Sequence, residues 1–275
     1  MDDIDRYLQE DLGDEGDITS DSLFSNEKTK AHIIAKEKCI IAGLEETETV
    51  FKKTGAKTKT LVNDGDHVEE RAIIAEIEGP ACSILKGERL ALNFLSRMSG
   101  IATETKKLVE KCKKVSPHVT IAATRKTTPG FRKYEKKAVM IGGGEPHRMG
   151  LFDVVMIKDN HLKITGSVEK AIKKVKKHVK NKIIEIEVEN KEDALKAAKL
   201  NVDVIMLDNF RPETAEDTAR EIREINPRIL IEISGGITPT NILRYASFAD
   251  RISLGYITHS IKSIDFSLEI IEIIS

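Results

Sequence analysis

Between Ala123 and His161 the chain reads ATRKTTPGFRKYEKKAVMIGGGEPHRMGLFDVVMIKDNH, and cations collect where its apolar runs stop. The run Val119 to Thr124 leads into Arg125-Lys126, and the run Asp153 to Ile157 leads into Lys158-Asp159-Asn160. Between them Gly142, Gly143 and Gly144 precede the pair His147-Arg148. Basic side chains beside turns with free backbone N–H groups suit a ligand carrying several negative charges. Lys133, Lys136 and Lys137 read differently. They sit mid-helix among polar neighbours, the pattern of a solvated basic face.

Further along, the apolar runs end in Glu187-Val188-Glu189, Asp208-Asn209, Ser234-Gly235-Gly236 and Gly255. Carboxylates among cations, with glycine turns close by, describe a Mg²⁺-phosphate site in which hard oxygen donors hold the metal and N–H groups hold phosphate. Strand periodicity puts Glu187 and Glu189 on one face, so it does not decide which of them serves the site.

These residues need elements that bring them together. Beyond residue 115, strand-like runs at Val119 to Thr124, Asp153 to Ile157, Ile183 to Val188, Val204 to Leu207, Ile229 to Ile233 and Ile252 to Leu254 alternate with helical stretches. The helices are expected at Ser167 to Val179, Lys191 to Leu200, Pro212 to Ile225 and Pro239 to Ser247. Such alternation predicts parallel strands with right-handed crossovers, and six to seven strands fit an incomplete (β/α) barrel. In a barrel the carboxyl ends of the strands converge on one face.

The first part of the chain has another rhythm. A short helix from Ile4 to Leu12, an extended run from Lys30 to Gly43, a helix from Leu44 to Gly55 and the alternating Ile73, Ala75 and Ile77 predict an α/β half-domain. Helical spacing then runs from Ile84 to about Cys112, carries Arg89 and Arg97, and is expected to break at Ser99-Gly100. The domains are expected at 1–112 and 113–275, with the final segment available to pack back on the first.

The 44 basic and 45 acidic side chains nearly cancel, which excludes a global field drawing the protein to nucleic acid or an anionic membrane. Three cysteines without a CxxC pair argue against a disulfide framework. The acidic start and the lack of a long apolar run predict a cytoplasmic protein.

Taken together, GERLALNFLSRMSGIAT, TRKTTPGFR, GGGEPHRMGLFD, IKDNH, IEIEVE, IMLDNF, EISGGI and ISLGYITHS resemble the quinolinate phosphoribosyltransferase family, in the same order throughout. The resemblance implies an N-terminal open sandwich, a C-terminal α/β barrel, and a homodimer, or a higher oligomer built on it, with shared active sites. It implies joining of quinolinate to phosphoribosyl pyrophosphate with Mg²⁺, giving nicotinate mononucleotide, pyrophosphate and CO₂ for NAD synthesis.

Position by position, Arg89 matches the arginine that reaches the partner subunit's quinolinate. Thr124 belongs to the TRKT string, in which Arg125 and Lys126, with His147 and Arg148, match the residues gripping the pyridine carboxylates. Lys158 matches the lysine near pyrophosphate and the substrate carboxylate. Glu187, favoured here over Glu189, and Asp208 match the acidic residues at the ribose and metal, which they hold directly or through water. Ser234, Gly235, Gly236 and Gly255 match the 5′-phosphate cradle. Lys126, Lys158, Glu187 and Asp208 are the expected catalytic set.

Ala123 and Pro146 depart from a common Asp and Asn of the family. Pro146 is similar to a paralogous group associated with molybdenum transport, the alternative being another heteroaromatic carboxylate as acceptor. A Schiff-base aldolase using Lys126 or Lys158, or a non-catalytic phosphate-binding barrel, are remoter alternatives.

Overall fold

The computed structural model describes residues 2–274. Two helices open the chain, α1 (Asp3–Leu12) and α2 (Ile18–Leu23), each starting at an aspartate. The Asp2 carboxylate accepts the Asp5 N–H, and that of Asp17 accepts those of Thr19 and Ser20. Such caps satisfy N–H groups that a helix start leaves without partners. There follow β1 (Lys28–Ala35), β2 (Cys39–Ile40), α3 (Leu44–Thr54), β3 (Lys57–Thr60), β4 (His67–Val68), β5 (Ile73–Pro80) and the long α4 (Ala81–Lys113).

The helix break expected at Ser99-Gly100 does not occur; α4 is continuous. Its small residues serve close packing instead. The Ser99 hydroxyl accepts the Ala42 N–H at 3.0 Å, and the Thr103 hydroxyl accepts the Ile40 N–H at 2.8 Å. A Cβ on Gly100 would stand 2.4 Å from the carbonyl oxygen of Lys262.

The second part alternates strand and helix. In order come β6 (Thr120–Ala122), α5 (Arg132–Ile141), β7 (Val155–Ile157), α6 (Asp159–Thr165), α7 (Val168–His178), β8 (Ile184–Val188), α8 (Lys191–Lys199), β9 (Val204–Asp208), α9 (Pro212–Ile225), β10 (Leu230–Ser234), α10 (Leu243–Ala246), β11 (Arg251–Ser253) and α11 (Tyr256–His259). Six strands form one parallel sheet in the order β6-β11-β10-β9-β8-β7. On the free edge of β6, Glu145 makes a single-residue parallel bridge to Ala122. The barrel is thus six-stranded and incomplete, as the alternation predicts. Helix α10 is shorter than the expected Pro239 to Ser247, because the Asn241 side chain accepts the Thr238 N–H and a turn takes up the first residues.

A last strand, β12 (Phe266–Ile274), returns to the opening elements and pairs antiparallel with β1 from end to end. It completes a four-stranded sheet in the order β12-β1-β5-β3. One compact unit therefore runs to Glu104 and includes Met140–Gly142 and the chain from Ile261 onward, while the other comprises Thr105–Val139 and Gly143–Ser260. Their boundary falls inside α4 rather than at its end. Among the described residues, no helix is long and apolar enough to cross a membrane, and the three cysteines are free.

Candidate active site

The carboxyl ends of the six strands surround a cavity of about 520 Å³. Thr124, Arg125 and Lys126 reach it from beyond β6, Lys158 from beyond β7, Glu187 from β8, Asp208 from β9, and Ser234, Gly235 and Gly236 from β10. His147 and Arg148 enter from the segment between α5 and β7. Residues separated by more than a hundred positions in the chain meet here because parallel strands start and stop in register.

The local bonds explain the orientation of each group. The Lys158 ammonium donates to the Glu187 carboxylate. The Ser234 hydroxyl donates to Asp208 Oδ1 at 2.5 Å, and the Asn209 amide donates to Oδ2 at 2.7 Å. Gly235 has φ +81°, and a Cβ there would lie 2.4 Å from the Asn209 side-chain oxygen and 2.6 Å from its backbone nitrogen. Only glycine fits this turn. Strand β8 ends at Val188 and Glu189 lies beyond it, exposed, so Glu187 is the glutamate that faces the cavity.

Gly255 does not line the cavity. It opens α11, where a Cβ would meet His259 Nε2 at 2.6 Å and Lys126 Cδ at 3.0 Å. Its bare backbone makes room for the Lys126 side chain, and the backbone carbonyl of Lys126 accepts the Thr258 hydroxyl. Arg89 lies exposed on α4 in the other unit and is not among the residues lining this cavity.

His147 faces partners other than those expected. Its Nε2 lies 3.3 Å from Glu232 Oε1 and 3.6 Å from Glu185 Oε2, both carboxylates being buried inside the barrel. Arg251 donates to Glu232 at 3.0 Å and to Glu145 at 2.8 Å, and the Ser253 hydroxyl also donates to Glu232. Arg251 and a protonated His147 are the cations that offset much of the buried negative charge. The three ligand-type residues His147, Glu185 and Glu232 are close enough to hold a metal ion. However, His147 Nδ1 accepts the Arg148 N–H at 2.8 Å, which leaves the neutral ring's proton on Nε2, the nitrogen that a metal would need.

Burial works against the charged imidazole, but Glu185 and Glu232 overcome it and hold His147 up at about 9. Burial also raises Glu185, aided by the Glu232 charge. Burial opposes the ionised form of Glu232 as well, yet His147, Ser253 and Arg251 bring it below the ordinary carboxylate range. The cluster therefore keeps a proton that its members would release separately in water at neutral pH. His147 and Glu185 hold that proton as one coupled unit.

Three groups stood outside the sequence expectations. Glu185 and Glu232 are acidic residues inside apolar strands, two positions before Glu187 and Ser234 and hence on the same inward face; that alternation is the signal by which they can be found. Lys136, placed by its neighbours on a solvated face, is instead fully buried, donating to the carbonyls of Arg148 at 2.7 Å and of Pro146. Its helix turns that side inward, while Lys133 stays exposed. The contact made by Pro146 is through its backbone carbonyl, a group that any residue supplies, so proline is compatible with it.

Chemically, the cavity offers cations from the two ends of the open sheet, a pair of carboxylates on neighbouring strands, and a hydroxyl followed by two glycines. Glu187 and Asp208 supply oxygen donors of the kind Mg²⁺ takes, and two such ligands suffice where substrate phosphates and water complete the shell.

The chain matches two family descriptions, "Quinolinate phosphoribosyl transferase, N-terminal domain" over residues 17–99 and "Quinolinate phosphoribosyl transferase, C-terminal domain" over residues 101–269. It is 46% identical over 273 residues to a protein of Methanocaldococcus jannaschii named "Probable nicotinate-nucleotide pyrophosphorylase (carboxylating)", covering 97% of this chain and 95% of that one. Identity to the rat nicotinate-nucleotide pyrophosphorylase (carboxylating) is 37% over 243 residues, 88% of this chain and 81% of the rat protein. The crystal structure of nicotinate-nucleotide pyrophosphorylase from Ehrlichia chaffeensis superposes with a TM-score of 0.91 at 38% identity, covering 98% of this chain and 97% of that one.

Proposed function

The chain belongs to the quinolinate phosphoribosyltransferase family, and we therefore propose that it transfers the phosphoribosyl group of phosphoribosyl pyrophosphate to quinolinate with loss of CO₂, yielding nicotinate mononucleotide and pyrophosphate for NAD synthesis. The observation that carries this function is the division of the cavity mouth. Arg125, Lys126, Arg148 and Lys158 can neutralise an aromatic dicarboxylate, while Ser234, Gly235 and Gly236 offer a phosphate cradle across the carboxylates Glu187 and Asp208.

In this reaction the pyridine nitrogen forms a bond to the anomeric carbon as the bond to pyrophosphate breaks, the leaving group taking the electron pair. Arg125 and Arg148 hold the acceptor's carboxylates, and Lys126 and Lys158 offset negative charge on the reactants. Glu187 and Asp208 orient the ribose. Mg²⁺, when bound, would be held by Glu187 and Asp208, directly or through water, and would offset the charge of the departing pyrophosphate. The N-alkylated ring then accepts the electron pair released with CO₂, so the protein supplies no covalent nucleophile. It positions the reactants, neutralises their charge and excludes water.

The reaction takes place in the cytoplasm in a homodimer, where Arg89 of one subunit completes the quinolinate site of the other. Support for this lies in the exposed position of Arg89 and its absence from the lining of its own cavity's barrel wall. The deciding experiment incubates the protein with quinolinate, phosphoribosyl pyrophosphate and Mg²⁺, with nicotinate as a parallel acceptor. Nicotinate mononucleotide and CO₂ are expected from quinolinate; turnover of nicotinate alone, or of neither, overturns the assignment.

A further inference from the structure

The first turn of α5 is bonded to both cation-bearing segments of the site. Arg132 donates from Nε to the Thr127 hydroxyl and from Nη1 to the Met149 carbonyl, each at 3.0 Å. The buried Glu135 carboxylate accepts the Thr128 N–H at 3.1 Å and its hydroxyl at 3.0 Å, just after Arg125-Lys126. Lys136 holds the carbonyls on either side of His147.

The turn so held is strained. His147 has φ +52°, a left-handed conformation that disfavours a residue with a Cβ by about 1–2 kcal/mol. Surrounding bonds must therefore over-determine it. On one side the His147 ring is anchored at Glu185 and Glu232; on the other the Lys136 ammonium pins the carbonyls of residues 146 and 148.

Lys136 is an expensive way to pin two carbonyls. It is fully buried, and desolvation, reinforced by the nearby Arg132, Arg125 and Arg148, lowers it to about 8, with Asp153 acting in the opposite direction. An amide or hydroxyl donor would satisfy carbonyls without burying a cation among cations. The extra positive charge has a use if a dianion enters beside it.

Resting on the quinolinate assignment above, we propose that Lys136 is a positioning residue for the acceptor: by fixing the Pro146–Arg148 turn it aims the Arg148 guanidinium at the acceptor's carboxylates, and its charge strengthens that subsite. Arg148 is nine-tenths buried yet reaches the cavity, so its direction is set by the backbone that bears it. The phosphate cradle sits at the ends of β9 and β10; among the described residues no hydrogen bond joins Ser234, Gly235 or Gly236 to this turn, and β10 meets it only further back, where Glu232 faces His147.

Steady-state kinetics with each substrate varied tests the assignment. Lys136→Met keeps the side chain's bulk and removes its charge and donors. It is expected to raise the KM for quinolinate about tenfold or more, while the KM for phosphoribosyl pyrophosphate stays within about twofold, in line with the loss of charge-assisted bonds. Arg148→Ala should show the same split at larger amplitude. Equal rises for both substrates, or no rise for either, in folded Lys136→Met overturns the proposal. Should that variant fail to fold, Lys136→Gln, which keeps a donor for one carbonyl, carries the same expectation; if neither folds, Lys136 is a structural residue and the proposal falls. Quinolinate turnover by the unaltered enzyme separates this outcome from a failure of the functional assignment itself.

Discussion

Nε2 of His147 lies 3.3 Å from Oε1 of Glu232, with Glu185 on the same ring edge at 3.6 Å, inside a barrel whose mouth is lined by Arg125, Lys126, Arg148 and Lys158. A folded-state value raised from 6.5 to about 9 stabilises the native state fully below pH 6.5, and this contribution is lost as pH rises through 9. The raised Glu185 acts in the same direction. Thermal unfolding from pH 6 to 9.5 is expected to show stability falling by up to about 3 kcal/mol from this source. In His147→Gln the decline should flatten; an unchanged slope would exclude the cluster as its origin.

A substitution at Gly235 is expected to separate phosphate binding from acceptor binding. A Cβ there would collide with both the side chain and the backbone of Asn209, the neighbour that orients Asp208. Gly235→Ala should weaken phosphoribosyl pyrophosphate binding about tenfold or more, since the turn must open to admit a methyl group at positive φ. Isothermal titration with the two substrates separately checks this; loss of quinolinate affinity alone would place the phosphate elsewhere.

If Arg89 serves a partner's site, two dead enzymes can repair each other. Arg89→Ala and Lys126→Ala subunits, each inactive alone, should form hybrids with one intact site when mixed and allowed to exchange. Recovered turnover is the expected result. No recovery despite exchange, followed by mass spectrometry of the native assembly, would assign Arg89 to its own subunit.

The barrel was legible because each of its strands is a short apolar run closed by a charged or small residue, from Thr124 to Ser234. Glu187 and Asp208 stood out for the same reason. Lys136 did not, because a lysine among lysines gives no sign of which one its helix turns inward; only the carbonyls of Pro146 and Arg148 single it out. Ser99-Gly100 misled in the opposite direction. Small residues in a helix signal a break or a close neighbour equally well, and the neighbours here, Ala42 and Lys262, lie far away in the chain. The final segment does pack back on the first part of the chain, as expected, but its strand character was hidden by composition, since Ile270, Ile271 and Ile273 are largely exposed and show no clean alternation; this is β12.

That last strand also fixes an order of events during synthesis. All residues of the barrel unit lie between β5 and β12, so the barrel's last strand and helix leave the ribosome while the outer edge of β1 is still bare. For that interval the nascent chain displays an eight-residue template for foreign β-pairing, and the chain's own tail is the segment that closes it.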